Sequence, residues 1–387
     1  MPYKKIFFSF SIILIFLGLI ELFSIGILTL LDDNKGKAHE RLMVYHPLTI
    51  RAYKPNSKIN HLWPTLVTDD NGYIRSRPYI DNADLTILLT GASSARNQQP
   101  YTSYDKSIAG IIESSFLKNE GIKVSVINLA MPGFSNFQEL MSIYNYLEEK
   151  NLSADFIIST AGLSSIMQFG NNLAANLKGN NIYPLYNQRV TNQIRGRQEG
   201  SFYSVTVSLN RYLKSLNIST VSLITKLTQK NNRRRVEVRG QIFSDNELKN
   251  EKTDLLYQRL IVRDSAIIPM MKILAESKGA TVKFFLLPSR YTWKSSPELI
   301  ANEYYQNTKL MIDKYYEALQ KNTPEIDLVN LNRIFNHLPV DSTPFTGKQR
   351  THYNEFGTEI IANVIYQEIK DEIINKHRDM NTKPSPH

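Results

Sequence analysis

Apolar and polar positions divide the chain into three regimes. From Ile6 to Leu31 the residues are almost wholly apolar, broken mainly by Ser9, Ser11, Glu21, Ser24 and Thr29. About 20 apolar residues cross a hydrocarbon core of roughly 30 Å, so residues 6–31 predict one transmembrane helix. Residues 33–84 are polar and irregular, with extended pieces at Leu48–Tyr53 and Leu62–Val67 and a turn signal at Asp70-Asn71-Gly72. Beyond them the pattern alternates. Short apolar runs at Leu85–Thr90, Lys123–Asn128, Asp155–Thr160, Thr281–Leu287 and Ile326–Leu331 predict strands. Helical stretches are expected over Tyr104–Lys118, Asn136–Lys150, Thr253–Lys278, Pro297–Lys321 and Glu355–Ile374. Strand, small-residue turn and helix in repetition predict an α/β domain with a parallel sheet over residues 85–376.

Two segments depart from this alternation. Residues 166–249 form an insertion rich in Asn, Gln, Ser and Arg. Within it Leu209, Tyr212, Leu213, Leu216, Leu223, Ile224 and Leu227 recur at helical spacing with Arg211, Lys214 and Lys226 between them, an amphipathic basic helix. Residues 377–387 read as a disordered tail.

Charge gives the first segment a direction. Lys4 and Lys5 precede the apolar run, and Asp32 and Asp33 follow it. The positive-inside rule then makes residues 1–32 a cytoplasmic N-terminus and anchor, with the domain on the extracytoplasmic side of the inner membrane. The alternative is a cleaved signal peptide, whose apolar region runs only about 7–15 residues and ends in small residues. The formal net charge of +10 is concentrated between Lys178 and Arg239, where twelve Lys and Arg face two acids, Glu199 and Glu237. Such a stretch suits anionic lipid or an acidic polymer, or is a solvated helical face. No nucleic-acid motif accompanies it, so nucleic acid is not an expected partner.

Composition removes several chemistries. The chain has no cysteine, which excludes disulfides and thiolate metal sites. Its seven histidines show no H-x-x-x-H pairing, so no metal is expected.

In open parallel sheets, ligands bind at the carboxyl ends of the strands. After the first strand comes Gly91-Ala92-Ser93-Ser94, where a hydroxyl meets converging backbone N–H groups, though serine is also common at helix N-caps. After the second comes Asn128-Leu129-Ala130-Met131-Pro132-Gly133, and after the third Gly162-Leu163-Ser164-Ser165. Far downstream His352 precedes the last helix, placed to act as a base or as a structural histidine.

In this order the blocks resemble the SGNH (GDSL-type) hydrolase family, and in particular its membrane-anchored bacterial members associated with cell-envelope polysaccharides. The likeness spans roughly residues 70–370 and is weakest across the insertion. It implies a three-layer, flavodoxin-like α/β/α fold with a five-stranded parallel sheet. Its G-D-S block corresponds to Gly91-Ala92-Ser93, with Ser93 as nucleophile. The N-x-G-x-x-G block corresponds to Asn128 through Gly133, whose Gly133 N–H is an oxyanion donor beside that of Ser93. The G-x-N-D block falls on Gly162 through Ser165, and D-x-x-H on Gln349 through His352, with Asn354–Gly357 matching the N-x-x-G that follows. Two positions are altered: the oxyanion asparagine is Ser164, and the acid that orients the histidine is Gln349. Asp341 or Glu355 is then the acid available to His352.

The resemblance implies ester hydrolysis or O-acyl transfer, with an acetyl or other acyl ester on a cell-surface glycan as substrate and no cofactor. The altered positions leave open a catalytically inactive glycan-binding or scaffolding domain. The amphipathic basic helix leaves open a lipid-directed esterase.

Overall fold

Leu85, Ile87, Leu88 and Leu89 are each at most 1% exposed, so this strand is covered on both faces, as central strands of parallel sheets are. The computed structural model describes residues 43–46, 48–59, 66–75, 82–96, 104–167, 169, 251–296, 303–346 and 351–382. They fall in one compact unit, 38–184 with 242–387. The expected anchor at 6–31, almost all of the insertion at 166–249 and Gln349 lie outside them. Among the described residues no helix is long and apolar enough to cross a membrane.

The strands are β1 (Met43–His46), β2 (Ile50–Tyr53), β3 (Lys58–Ile59), β4 (Leu66–Thr68), β5 (Ile74–Arg75), β6 (Leu85–Thr90), β7 (Val124–Asn128), β8 (Phe156–Ser159), β9 (Thr281–Leu286) and β10 (Leu328–Asn330). The helices are α1 (Ser93–Arg96), α2 (Ile108–Glu120), α3 (Asn136–Tyr144, continued by a π turn over Asn145–Glu149), α4 (Glu251–Ser277), α5 (Glu303–Asn322) and α6 (Glu355–Thr382). β1 and β2 form a separate hairpin; the other strands lie in one sheet of order β10-β9-β8-β6-β7-β5-β4-β3.

The five strands β10 to β7 pair in parallel. Numbered as the chain meets them, their order is 2-1-3-4-5, the flavodoxin-like arrangement, whose switch point lies between the carboxyl ends of β6 and β8. Helices cover both faces. Ser159 and Phe284 are paired across β8 and β9 and share a face, and the Ser159 hydroxyl donates to Glu139 on α3. Lys283, one residue away, points to the opposite face and donates to the Glu368 carbonyl on α6. On one face α3 packs on α4 and α4 on α5; on the other α2 packs on α6, with Phe116 and Tyr366 edge to face at 4.9 Å. The sheet therefore makes the middle layer of three.

Two features differ from expectation. The Asp70-Asn71-Gly72 turn joins β4 to β5, and β5 pairs with β7 through Ile74 and Asn128, so the lead-in extends the parallel sheet by three antiparallel strands. The last helix also runs past Ile374 to Thr382, into the expected tail. Lys376 Nζ donates to the carbonyls of Asp155 and Gly279 at 2.7 and 2.8 Å, and these bonds hold the added turns on the domain.

Candidate active site

The turn that carries Ser93 is built on contact between β6 and β8. The Thr160 hydroxyl donates to the Thr90 carbonyl at 3.0 Å, and a Cβ on Gly91 would stand 1.9 Å from that hydroxyl oxygen. With φ at +149°, position 91 admits glycine and little else. The chain turns there and enters α1 at Ser93, whose side chain is half-buried while Ala92, Ser94, Ala95 and Arg96 are buried.

His352 arrives from the opposite end of the sequence on a braced loop. Phe345 and Tyr353 form an antiparallel bridge, and Thr346 N donates to the His352 carbonyl at 3.0 Å. The Tyr353 hydroxyl donates to the Pro288 carbonyl, 2.6 Å, fixing the loop to the end of β9. Asn354 caps α6 by accepting from Gly357 N at 2.9 Å, and its amide donates to the Thr343 carbonyl at 2.8 Å. A Cβ on Gly357 would lie 2.1 Å from the Pro344 carbonyl oxygen, so the helix approaches the loop only because that residue has no side chain. The outcome is a 2.8 Å contact between His352 Nε2 and Ser93 Oγ. With the ring proton on Nδ1, the serine hydroxyl donates to Nε2.

The other two motif turns stand at neighbouring strand ends. After β7, Leu129 N donates to the Leu89 carbonyl and Met131 N to the Gly91 carbonyl, at 2.8 and 3.1 Å, so the loop carrying Gly133 (φ +70°) is tied to the turn that carries Ser93. Asn128 is buried and structural: its amide donates to the Ala95 carbonyl and its carbonyl accepts from Ala130 N. After β8, Gly162 N donates to Asn136 Oδ1 at 2.8 Å, and Asn136 N donates to Ser165 Oγ at 3.2 Å. Ser164 sits half-buried between these anchors.

The electrostatics run against the familiar triad. Burial, and then the Arg96 guanidinium, lower the His352 pKa from 6.5 to about 4. Asp341 and Glu355 are both exposed, and the charge acting on the imidazole is cationic. Arg96 itself is 2% exposed and donates to the Tyr53 hydroxyl, with its Cζ 5.7 Å from that ring's centroid. At neutral pH His352 is thus unprotonated, with Nε2 in hydrogen-bonding contact with Ser93 Oγ. The imidazolium form is disfavoured by burial and by Arg96.

Three residues of this neighbourhood were not singled out in the sequence: Arg96, Tyr53 and Glu139. Glu139 is 1% exposed beneath the switch point and accepts from Thr90 Oγ1 at 3.0 Å and Ser159 Oγ at 2.9 Å. Burial raises its pKa from 4.5 to about 7. A signal for it existed, since Asn136, Glu139, Leu140 and Ile143 share one helical stripe, which puts a carboxyl on the core-facing side of α3.

No family model and no curated relative matches the chain. Solved structures similar to it include an acetyl xylan esterase variant, Axe2, from Geobacillus stearothermophilus, at 10% identity over 74% of this chain and 95% of that one, TM-score 0.40. A GDSL-like lipase from Bacteroides thetaiotaomicron matches at 12% identity over 75% of this chain and 89% of that one, TM-score 0.34. TesA matches at 12% identity over 74% and 98%, TM-score 0.35. The fold assignment rests on the strand order above.

Proposed function

We propose that the chain is a serine ester hydrolase or O-acyltransferase acting on an acyl ester, most simply acetyl, of an extracytoplasmic envelope polysaccharide. The observation that carries this reading is the 2.8 Å approach of His352 Nε2 to Ser93 Oγ at the switch point. Ser93 Oγ attacks the ester carbonyl carbon while His352 Nε2 takes the hydroxyl proton. The carbonyl oxygen becomes an oxyanion held by the N–H groups of Ser93 and Gly133, with Ser164 as a further donor. Collapse breaks the bond to the glycan oxygen, which leaves with the proton from His352, and an acyl group remains on Ser93. Water completes hydrolysis; a second hydroxyl completes transfer. The polysaccharide is inferred from the apolar run at 6–31, read as an anchor whose far side faces envelope polymers, and from the basic stretch at 178–239, which suits an acidic one.

Arg96 favours a second reading, a glycan-binding domain without turnover, because a buried cation near the imidazole disfavours the imidazolium that catalysis needs. Hydrolysis of an aryl acetate by the full chain in mild detergent separates the two. The enzyme reading expects turnover that Ser93→Ala lowers to background. Equal rates in the two chains would leave the binding module.

A further inference from the structure

A cavity of about 170 Å3 opens beside the edge of β7 and contains neither Ser93 nor His352. Its walls come from the β1–β2 hairpin, the turn before β5, the π turn after α3 and the Asn128–Phe134 loop. Cavities that enclose drug-sized ligands run to about 300–1,000 Å3, so this one admits a single ring-sized group.

One side is apolar: Tyr53, Met131 and Phe134 are buried together with Ile74. The other is polar and lined with donors. His46 Nδ1 accepts from the backbone N–H groups of Leu48 and Thr49, both at 3.3 Å, and the ring is also hydrogen-bonded to the Asn145 side chain, so His46 braces this wall. Asn145 Nδ2 donates to the Tyr73 hydroxyl oxygen at 2.8 Å, so the phenol proton remains for a guest. Lys150 is exposed at the rim, and its charge is felt at His46. Glu148 pairs with Lys278 at 2.9 Å, and Asp69 Oδ1 accepts from the N–H groups of Asn71 and Tyr73, each at 2.9 Å. Among the described residues Lys150 has no ion pair with a carboxylate.

An aromatic and thioether floor, a phenol hydroxyl and one cation are complementary to a pyranose ring that bears a carboxylate. We propose that this cavity is a subsite for one acidic sugar residue of the glycan, an inference that rests on the glycan-ester reading of Ser93. Two bonds connect it to the chemistry. Met131, on its wall, donates to the Gly91 carbonyl two residues before Ser93, and Tyr53 accepts from Arg96. A sugar seated there lies against the same loop that carries Gly133.

The test titrates the full chain carrying Ser93→Ala with trisaccharides of galacturonate, glucuronate and mannuronate, each beside its neutral counterpart. At least one uronate is expected to saturate the protein and to bind more tightly than the neutral sugar. Lys150→Gln should weaken it roughly two- to fivefold, the worth of one exposed ion pair, and Tyr73→Phe should weaken both members of the pair. Binding unaffected by Lys150→Gln would assign the uronate elsewhere, for instance to the basic stretch, and would overturn the proposal. So would the absence of uronate binding, or equal affinity for the neutral sugar. Aryl acetate carries no sugar, so its hydrolysis by the native chain reports on Ser93 alone. Aryl ester turnover without uronate binding would therefore remove the subsite alone, whereas loss of that turnover in the native chain would remove the Ser93 reading instead.

Discussion

Glu139→Gln replaces the carboxyl beneath the switch point with an amide of the same shape, whose carbonyl still accepts from Thr90 and Ser159. Burial raises the Glu139 pKa from 4.5 to about 7, so the folded state binds its proton more tightly than the unfolded chain. Its favourable contribution is complete below pH 4.5, declines as pH rises, and is lost above pH 7. Each pKa unit is worth about 1.36 kcal/mol, so the native protein forfeits about 3 kcal/mol across that window. His352 acts in the opposite sense. Its pKa is lowered from 6.5 to about 4, so it costs stability as pH falls through the same range. The two slopes oppose each other, and the native curve alone is uninformative. The difference between variant and native chain isolates Glu139. Urea unfolding followed by tryptophan fluorescence, with Trp293 1% exposed, should show that difference growing in favour of the variant by about 3 kcal/mol from pH 4.5 to 7 and then levelling. A difference constant with pH would refute the buried, proton-holding carboxyl.

Three further outcomes follow from the site. The pH profile of kcat/KM should rise through about 4, because the free enzyme needs neutral His352, and Arg96→Gln should move that onset upward toward 6.5; an unmoved onset would remove Arg96 as its cause. Gly91→Ala drives a Cβ to 1.9 Å from Thr160 Oγ1 and should destabilise the fold by about 3 kcal/mol or more in the same urea assay. Gly357→Ala, whose Cβ meets the Pro344 carbonyl at 2.1 Å, should displace the His352 loop and lower kcat in aryl acetate hydrolysis by roughly 10²-fold, the cost of about 1 Å of misplacement.

The parallel core was legible because its strands are buried on both faces and so read as unbroken apolar runs. Leu85–Thr90 was predicted with the boundaries it has, and the other four were displaced by only one or two residues. The antiparallel extension was not legible. β3 and β5 have two residues each, and β5 joins the sheet through a single pair, Ile74 with Asn128, decided by tertiary contact. Ser93 and His352 were visible from the order of their turns, and the fold brings them together across 259 residues. The charge beside them was hidden. Arg96 looks like a solvated residue on a short polar helix, and only the Tyr53 hairpin closing over it makes it a buried cation next to the imidazole. Glu139 was hidden in the same way, since its burial depends on β6 and β8 lying side by side above α3.

The central claim is that His352 activates Ser93, and covalent capture tests it most directly. The full chain in detergent is treated with a fluorophosphonate and digested, and the modified residue is located by mass spectrometry across pH 4 to 8. The account predicts modification at Ser93, rising through the ionisation of His352 near pH 4, and slowed by at least roughly 10³-fold in His352→Ala, as loss of a triad base commonly does. An unmodified Ser93 at every pH, or labelling that His352→Ala leaves unchanged, would contradict it.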